Sequence, residues 1–268
     1  FYSPAQSVRD AREHGVEVRP IDVTRSDWDC TLEVDGVGTA PALRLGLRLV
    51  KGLSEAAALQ LLRARADNPF SDTADLVNRS RLPRRDLELL AGANALAALA
   101  GNRHHAAWTL AGVETELELL AQAAPHEATP LLRAPSEGQN ILADFRSAGL
   151  SLRRHPVALL RDRLIRRGIQ SAQEVLQSEN GADIRFVGVV TLRQSPSTAK
   201  HTTFMTVEDE TGIVQVIVWN QVAQEYRAAF LGSSLLEVHG KFQHESGVKH
   251  LIALALFDLS RWLGVLRV

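Results

Sequence analysis

An α+β chain of more than one domain, helical in its first half and closing on a five-stranded β-barrel, is the fold this sequence predicts. Three observations predict it. Two short helical segments joined by glycine- or proline-bearing turns follow one another between residues 43 and 99. From Ile184 onward the apolar period changes from helical spacing to strict alternation. Between these regimes lies a stretch rich in Ala, Pro and Ser, 124–139, with linker composition. The expected boundaries are a leading segment 1–36, a tandem helix-hairpin-helix region 37–112, a linker 113–140, a helical connector 141–182, an OB-fold barrel 183–258 and a tail 259–268.

Bulk properties narrow the class without choosing a partner. Thirty Lys and Arg against 31 Asp and Glu give a net charge of −1, so total charge argues neither for nor against nucleic acid. The distribution says more: Arg44, Arg48, Lys51, Arg63, Arg65, Arg79, Arg81, Arg84, Arg85 and Arg103 make 43–112 basic while its flanks are acidic. Cys30 is the only cysteine. This excludes a disulfide framework and a cysteine metal site, and it fits a reducing, cytoplasmic setting. No apolar run reaches membrane-spanning length, and 1–12 mixes charges where a signal peptide would be apolar, so a soluble chain with no membrane partner is expected. The first residue is Phe1 rather than Met, from which we expect a piece of a longer protein.

In chain order, Pro4 suits a first helical turn and Gly15 a helix stop, with a short strand at 16–18. Asp22, Asp27 and Asp29 around Trp28 are oxygen donors of the type a divalent cation needs, but the loop composition favours turn caps and a packed tryptophan. Residues 35–41 are glycine-rich and read as a connection.

The stretch LGLRLVKGLSEAAALQLLRAR, 45–65, reads as the first hairpin. Gly46 and Gly52 bracket a short apolar segment, and Gly52-Leu53-Ser54 turns into a helix expected to carry Ala56, Leu59 and Leu62 on one face. A glycine turn lets the backbone approach a phosphate, the amides opening the next helix point outward with the positive end of its dipole, and Lys51 adds a cation. Contacts of this kind hold the sugar-phosphate backbone without reading bases. Ser54 is also a good N-cap, so a plain helix start explains it too. A second turn, 68–72, offers Ser71 or Asp72 as N-cap for a helix through Val77, and a further turn at 81–85 opens a helix containing Leu87, Leu89, Leu90 and Leu96. The expected phosphate-facing residues are Lys51, Gly52, Leu53 and Ser54 on one turn and Arg84 and Arg85 on the other.

His104 and His105 are adjacent rather than one helical turn apart, against a zinc role. His155 precedes Pro156 with no nucleophile in a recognisable pattern nearby, so a capping or packing role is expected. Arg161, Arg163, Arg166 and Arg167 form a basic face after it.

Strands are expected at 184–193, 202–208 and 213–219, then a helix at 221–230, then strands at 234–242 and 248–256, which is the order of an OB-fold. Alternation puts Met205, Val207, Val214, Val216 and Val218 inside, and Thr202, Phe204, Thr206, Gln215, Ile217 and Trp219 outside. Exposed Phe204 and Trp219 would be stacking platforms for bases, with Arg193, Lys200, His201, Lys241 and Lys249 contacting the backbone. The barrel is nonetheless acidic, and Trp219 has the alternative of packing under the helix that follows it. Glu208-Asp209-Glu210 with Thr211 and Gly212 reads as a hairpin turn with solvated carboxylates rather than a catalytic cluster.

Taken together, FYSPAQSVRDAREHGVEVRPIDV, SDWDCTLE, LRLGLRLVKGL, SLRRHPVALLR and TFMTVEDETGIVQVIVW resemble, in this order, the C-terminal part of the bacterial error-prone DNA polymerases, C-family enzymes paralogous to the alpha subunit of DNA polymerase III. The resemblance covers nearly the whole chain. It implies that 1–35 ends the fingers, that 43–99 grips the duplex, and that 184–256 lies near single-stranded template. It places catalysis on palm aspartates holding two metal ions, with Mg2+ expected for the parent enzyme. No segment here resembles that palm, so no catalytic residue, metal site or cofactor is expected in this chain. The partners implied are primer–template and single-stranded DNA, a Y-family polymerase-like protein and a RecA-like accessory factor. Replicative relatives carry a glutamine-led, aromatic-ended sliding-clamp motif where this chain has 170–180, with Ile169 and Val175 but no aromatic pair, which argues against direct clamp contact. The rival reading is a protein-docking module with little DNA affinity of its own.

Overall fold

Pro4 opens α1 (Pro4–Glu13), and Gly15 at φ +80° ends it. The computed structural model describes residues 4–36, 40–112, 132–195, 202–245 and 247–265. Two compact units divide it, Phe1–Leu152 and Arg153–Val268. The segment read as one connector, 141–182, is thus shared between them. Among the described residues no helix is long and apolar enough to cross a membrane.

In the first unit three short strands follow α1: β1 (Val18–Arg19), β2 (Thr31–Glu33) and β3 (Ala42–Arg44), in the order β1-β3-β2 with β1 parallel and β2 antiparallel to β3. A lattice of charges ties this small sheet. The buried Arg44 donates to both oxygens of Glu33 at 2.9 Å, and Arg19 reaches Glu17, Glu33 and Asp35. Asp22 caps its own turn through Thr24, Asp27 pairs with Arg65 and Asp29 with Arg48, whose guanidinium lies over the Trp28 ring. The turn-cap reading of these aspartates therefore fits, each having its own partner. Gly46 follows β3 where a side chain would collide with the backbone of Trp28 and Asp29 at 2.4–2.6 Å.

The helical part runs through a single 3-10 turn at Leu47–Leu49, then α2 (Glu55–Asp67), α3 (Thr73–Ser80), α4 (Arg84–Gly92), α5 (Ala97–Ala100), α6 (Arg103–Gly112) and α7 (Glu137–Ser147). The first hairpin thus has one turn rather than a helix as its leading arm, because β3 and two glycines leave no room for more. Ser54 and Asp72 are N-caps, accepting from Ala57 N and Asp75 N. The face of α2 that packs is Ala57, Ala58, Leu61 and Ala64; on the expected apolar face Ala56 and Leu59 are exposed and Leu62 is half-buried. In so alanine-rich a helix the apolar period has little contrast, and the Gly52 turn sets the phase instead. The helix expected to end at Val77 continues to Ser80, where Arg81 at φ 48° and Pro83 stop it. Leu96 lies beyond α4, in the turn entering α5, yet is fully buried with Leu61, Leu76 and Leu90. Of the expected linker 113–140, residues 113–131 lie outside the described residues and 137–140 already belong to α7, whose Ser136–Gln139 capping box fixes its start.

The second unit opens with a 3-10 turn, Pro156–Leu160, capped by His155 Nδ1 accepting from Val157 N, the capping role expected of that histidine. It continues through α8 (Arg161–Ile165) and α9 (Ala172–Leu176) into the barrel. Strands β4 (Asp183–Gln194), β5 (Thr202–Asp209), β6 (Gly212–Trp219), β7 (Leu235–Glu245) and β8 (Val248–Asp258) close in the order β4-β5-β6-β8-β7. This is a closed five-stranded OB barrel. Between β6 and β7 the expected single helix is two, α10 (Asn220–Glu225) and α11 (Arg227–Gly232), broken at Tyr226; α12 (Ser260–Val265) follows β8. Met205, Val207, Val214, Val216 and Val218 are 0% exposed, the interior set that alternation assigns.

Candidate nucleic-acid interface

The two expected phosphate-facing turns meet in the first unit. Gly52 is at φ +85°, where L side chains are strained, and a methyl added there would stand 3.4 Å from Leu89 Cδ1 and 3.8 Å from a terminal nitrogen of Arg85. The start of α4 therefore lies beside the turn that enters α2. Leu53 anchors that turn in the core. Ser54 is the N-cap of α2, and the amides of Gly52, Ser54, Glu55 and Ala56 have no protein acceptor among the described residues. Arg85 is exposed and has no ion pair or hydrogen bond among them. Arg81, which opens the expected second phosphate-facing turn, is likewise exposed and side-chain unpaired among them, at the αL residue ending α3.

Other expected contacts are committed elsewhere. Arg84 pairs with Glu88 one helical turn on, both well exposed. Lys51 Nζ donates to the carbonyl of Phe145 at 2.9 Å and Lys51 N to that of Ser147 at 2.7 Å, both in the last turn of α7. Arg65, Arg79 and Arg103 donate to backbone carbonyls, Arg65 to Val23 and Ser26, Arg79 to Ala64, Pro69 and Asn68 below α2, and Arg103 to Gly92; Arg103 also pairs with the carboxylate of Asp144 on α7. Much of the basic character of 43–112 is thus internal.

On the barrel the outward row is apolar and aromatic. Phe204 on β5 pairs in register with Ile217 on β6, and Thr202 with Trp219. Phe204 and Trp219 are therefore diagonal neighbours on one face, 37% and 50% exposed. Trp219 does not pack away under α10. Ile217 is opposite Ile252 of the parallel strand β8, and Leu254, two residues further along that strand, is also exposed; there the pairing of β7 with β8 shifts register in a bulge between His239 and Gly240. Sequence alternation had no signal for that bulge.

The expected cations around this face have other roles. Arg193 donates to the carbonyls of Phe230 and Ser233 at the end of α11, where burial pushes its pKa down. Lys249 Nζ donates to Leu176 O at 2.7 Å, and Lys241 pairs with Asp183. Lys200 and His201 lie outside the described residues.

The turn Glu208-Asp209-Glu210 is not solvated as expected. Asp209 is fully buried, accepting from the amides of Ala172, Thr211 and Gly212 and from Arg161. Arg161 also binds both oxygens of Glu210, so this acidic turn is the seat on which the 156–176 segment docks. Arg163 and Arg167 of the expected basic face lie over the Trp262 ring, at 3.7 and 5.1 Å. In the stretch 170–180, Ala172 and Val175 are buried against the barrel core and Gln170 bridges to Phe186.

Comparison with known proteins agrees with both halves. A family model described as a helix-hairpin-helix motif matches 15–106, and one described as an OB-fold nucleic acid binding domain matches 184–259. An error-prone DNA polymerase of Methylococcus capsulatus is 50% identical over all of this chain and 27% of its own length. Those of an Azoarcus species and of Alkalilimnicola ehrlichii are 50% and 47% identical, over 98% and 100% of this chain and 25% and 26% of theirs. The chain spans about a quarter of the length of the curated relatives it matches.

Proposed function

Because the chain belongs to the error-prone DNA polymerases, as a C-terminal part of them, we propose that it is the module that holds DNA and companion proteins for an enzyme copying damaged templates in mutagenic repair synthesis. The hairpin unit grips primer–template through its phosphates, and the outer face of the barrel stacks unpaired template bases. Catalysis, with its Mg2+, belongs to the remainder of the parent enzyme. The observation carrying this reading is a cluster of donors with no partner among the described residues: the amides of Gly52, Ser54, Glu55 and Ala56 beside the guanidinium of Arg85, with Arg81 on the adjoining turn. Amides and arginines without internal acceptors are the groups a phosphate satisfies, and such contacts are indifferent to sequence.

One observation favours a second role for the barrel. Arg193, Lys241 and Lys249 are committed within the protein, while Phe204, Trp219 and Leu254 stand exposed. Such a face also fits protein docking, and the Y-family polymerase-like and RecA-like companions are the proposed occupants in that case.

Fluorescence anisotropy with primer–template and single-stranded DNA across a salt series tests the proposal. Affinity for primer–template should fall steeply with salt, and Arg81→Ala with Arg85→Ala should reduce the log–log slope by about two, since each phosphate contact contributes about 0.9. No binding of the wild-type chain at low salt sinks the DNA reading and leaves protein docking.

A further inference from the structure

Lys51 stands in the first hairpin turn, yet both of its donors end on α7. The amide donates to Ser147 O at 2.7 Å and the ammonium to Phe145 O at 2.9 Å. These carbonyls belong to the last turn of a helix, where partial negative charge accumulates and attracts a cation much as a phosphate oxygen does. Asp144, one residue before Phe145, is anchored from the other side by the buried Arg103, which also holds Gly92 O at the end of α4. Gly149, at φ +77°, lets the chain leave α7 close to Lys51: a methyl there would stand 3.3 Å from Lys51 Cε and 3.4 Å from Nζ.

We infer that the C-terminal turn of α7 is an internal competitor for the first hairpin, occupying the amide and ammonium of Lys51 that would otherwise serve a DNA phosphate. The hairpin is half closed in this state. Gly52, Ser54, Glu55, Ala56 and Arg85 remain open to a ligand, and adding Lys51 to the contact requires the end of α7 to withdraw. The inference rests on the proposed DNA-gripping role of the hairpin unit and specifies how that site is regulated.

The test uses the whole chain and a primer–template probe, with hydrogen exchange at the Lys51 amide as the readout of the latch. Gly149→Ala should speed exchange at that amide, tighten DNA binding severalfold and steepen the salt slope by about 0.9, the contribution of one added phosphate contact. Lys51→Met in the Gly149→Ala background should return the salt slope to the wild-type value, because the ammonium that the released contact adds is gone while the backbone amide is kept. Should the alanine be accommodated with the amide still protected, Gly149→Val supplies a larger wedge at the same place. Loss of affinity on Lys51→Met alone overturns the inference, because Lys51 would then already hold phosphate. An opened amide without tighter binding overturns it as well. Failure of the underlying reading looks different: wild type and the Arg85→Ala variant would bind DNA equally or not at all.

Discussion

The hairpin unit and the barrel unit use their charged residues in opposite ways. In the hairpin unit several arginines cap carbonyls, yet Arg81 and Arg85 remain exposed and uncommitted among the described residues, next to amides without acceptors. In the barrel unit Arg161, Arg193, Lys241 and Lys249 all have internal partners, and what faces outward on β5, β6 and β8 is Phe204, Ile217, Trp219 and Leu254. One unit therefore offers charge and the other offers stacking surface. Overall near-neutrality and a barrel rich in acids do not speak against nucleic acid once these roles are separated. They say that only one of the two units should respond strongly to salt.

The largest expected effect tests whether the barrel's cations are structural. Arg161→Ala leaves Asp209 fully buried with its guanidinium partner gone, and breaking a buried pair from one side costs about 3–5 kcal/mol. Urea unfolding followed through the barrel's tryptophans should show this loss. Asp209 keeps its bonds from Ala172, Thr211 and Gly212, so the hairpin should survive while the seat of α8 and α9 loosens. A change under about 1 kcal/mol, the size typical of an exposed pair, would mean that Arg161 is as dispensable as a surface arginine.

A smaller effect divides the two modes of contact. Phe204→Ala or Trp219→Ala should each weaken single-stranded DNA binding by about 1–3 kcal/mol, the worth of one base stacked on an aromatic ring, with no change in salt slope. The corresponding loss at Arg85 must come with a shallower slope. If removing Trp219 flattens the salt dependence, or leaves single-strand binding intact while a companion protein lets go, the division between the units is drawn wrongly.

How much of this was legible in the sequence follows from where each signal is stored. The barrel faces were readable because burial on one side enforces alternation, so Met205 and Val207 could be placed inside and Phe204 outside from spacing alone. Ser54, Asp72 and His155 were readable because a cap acts on amides two or three residues away. The destinations of Lys51, Arg193 and Lys249 were not, since a long cation beside a turn looks the same whether it meets a phosphate or a carbonyl far along the chain. Asp209 was misread for that reason: its partner Arg161 lies 48 residues upstream. The packing face of α2 was lost in a run of alanines, and the bulge between β7 and β8 breaks the alternation used elsewhere without any signal in the spacing.

The smallest effect concerns acid, and it separates the units by the strength with which their carboxylates are held. Arg44, with Arg19 behind it, holds Glu33 at about 2, well below its ordinary 4.5. A carboxylate depressed in the folded state stabilises fully above its unfolded pKa, and that contribution fades as pH falls through the folded value. The hairpin unit should therefore lose stability between pH 4.5 and about 2. Discounted for the solvent around the partly exposed Arg19–Glu33 contact, the loss attributable to Glu33 is about 1–2 kcal/mol. In the barrel unit Glu237 is also depressed: burial acts to raise it, and His239 and Arg185 together outweigh burial. Thermal melts of wild type and Glu33→Gln across this range isolate the first effect, because the amide keeps the shape and removes the titration. The gap between them should be widest near neutral pH and close toward pH 2. A gap that stays constant would place the acid sensitivity of the hairpin unit elsewhere, with Asp35, also depressed by Arg19, and Asp75, depressed by the Ser71 amide and Arg79, as the next carboxylates to replace.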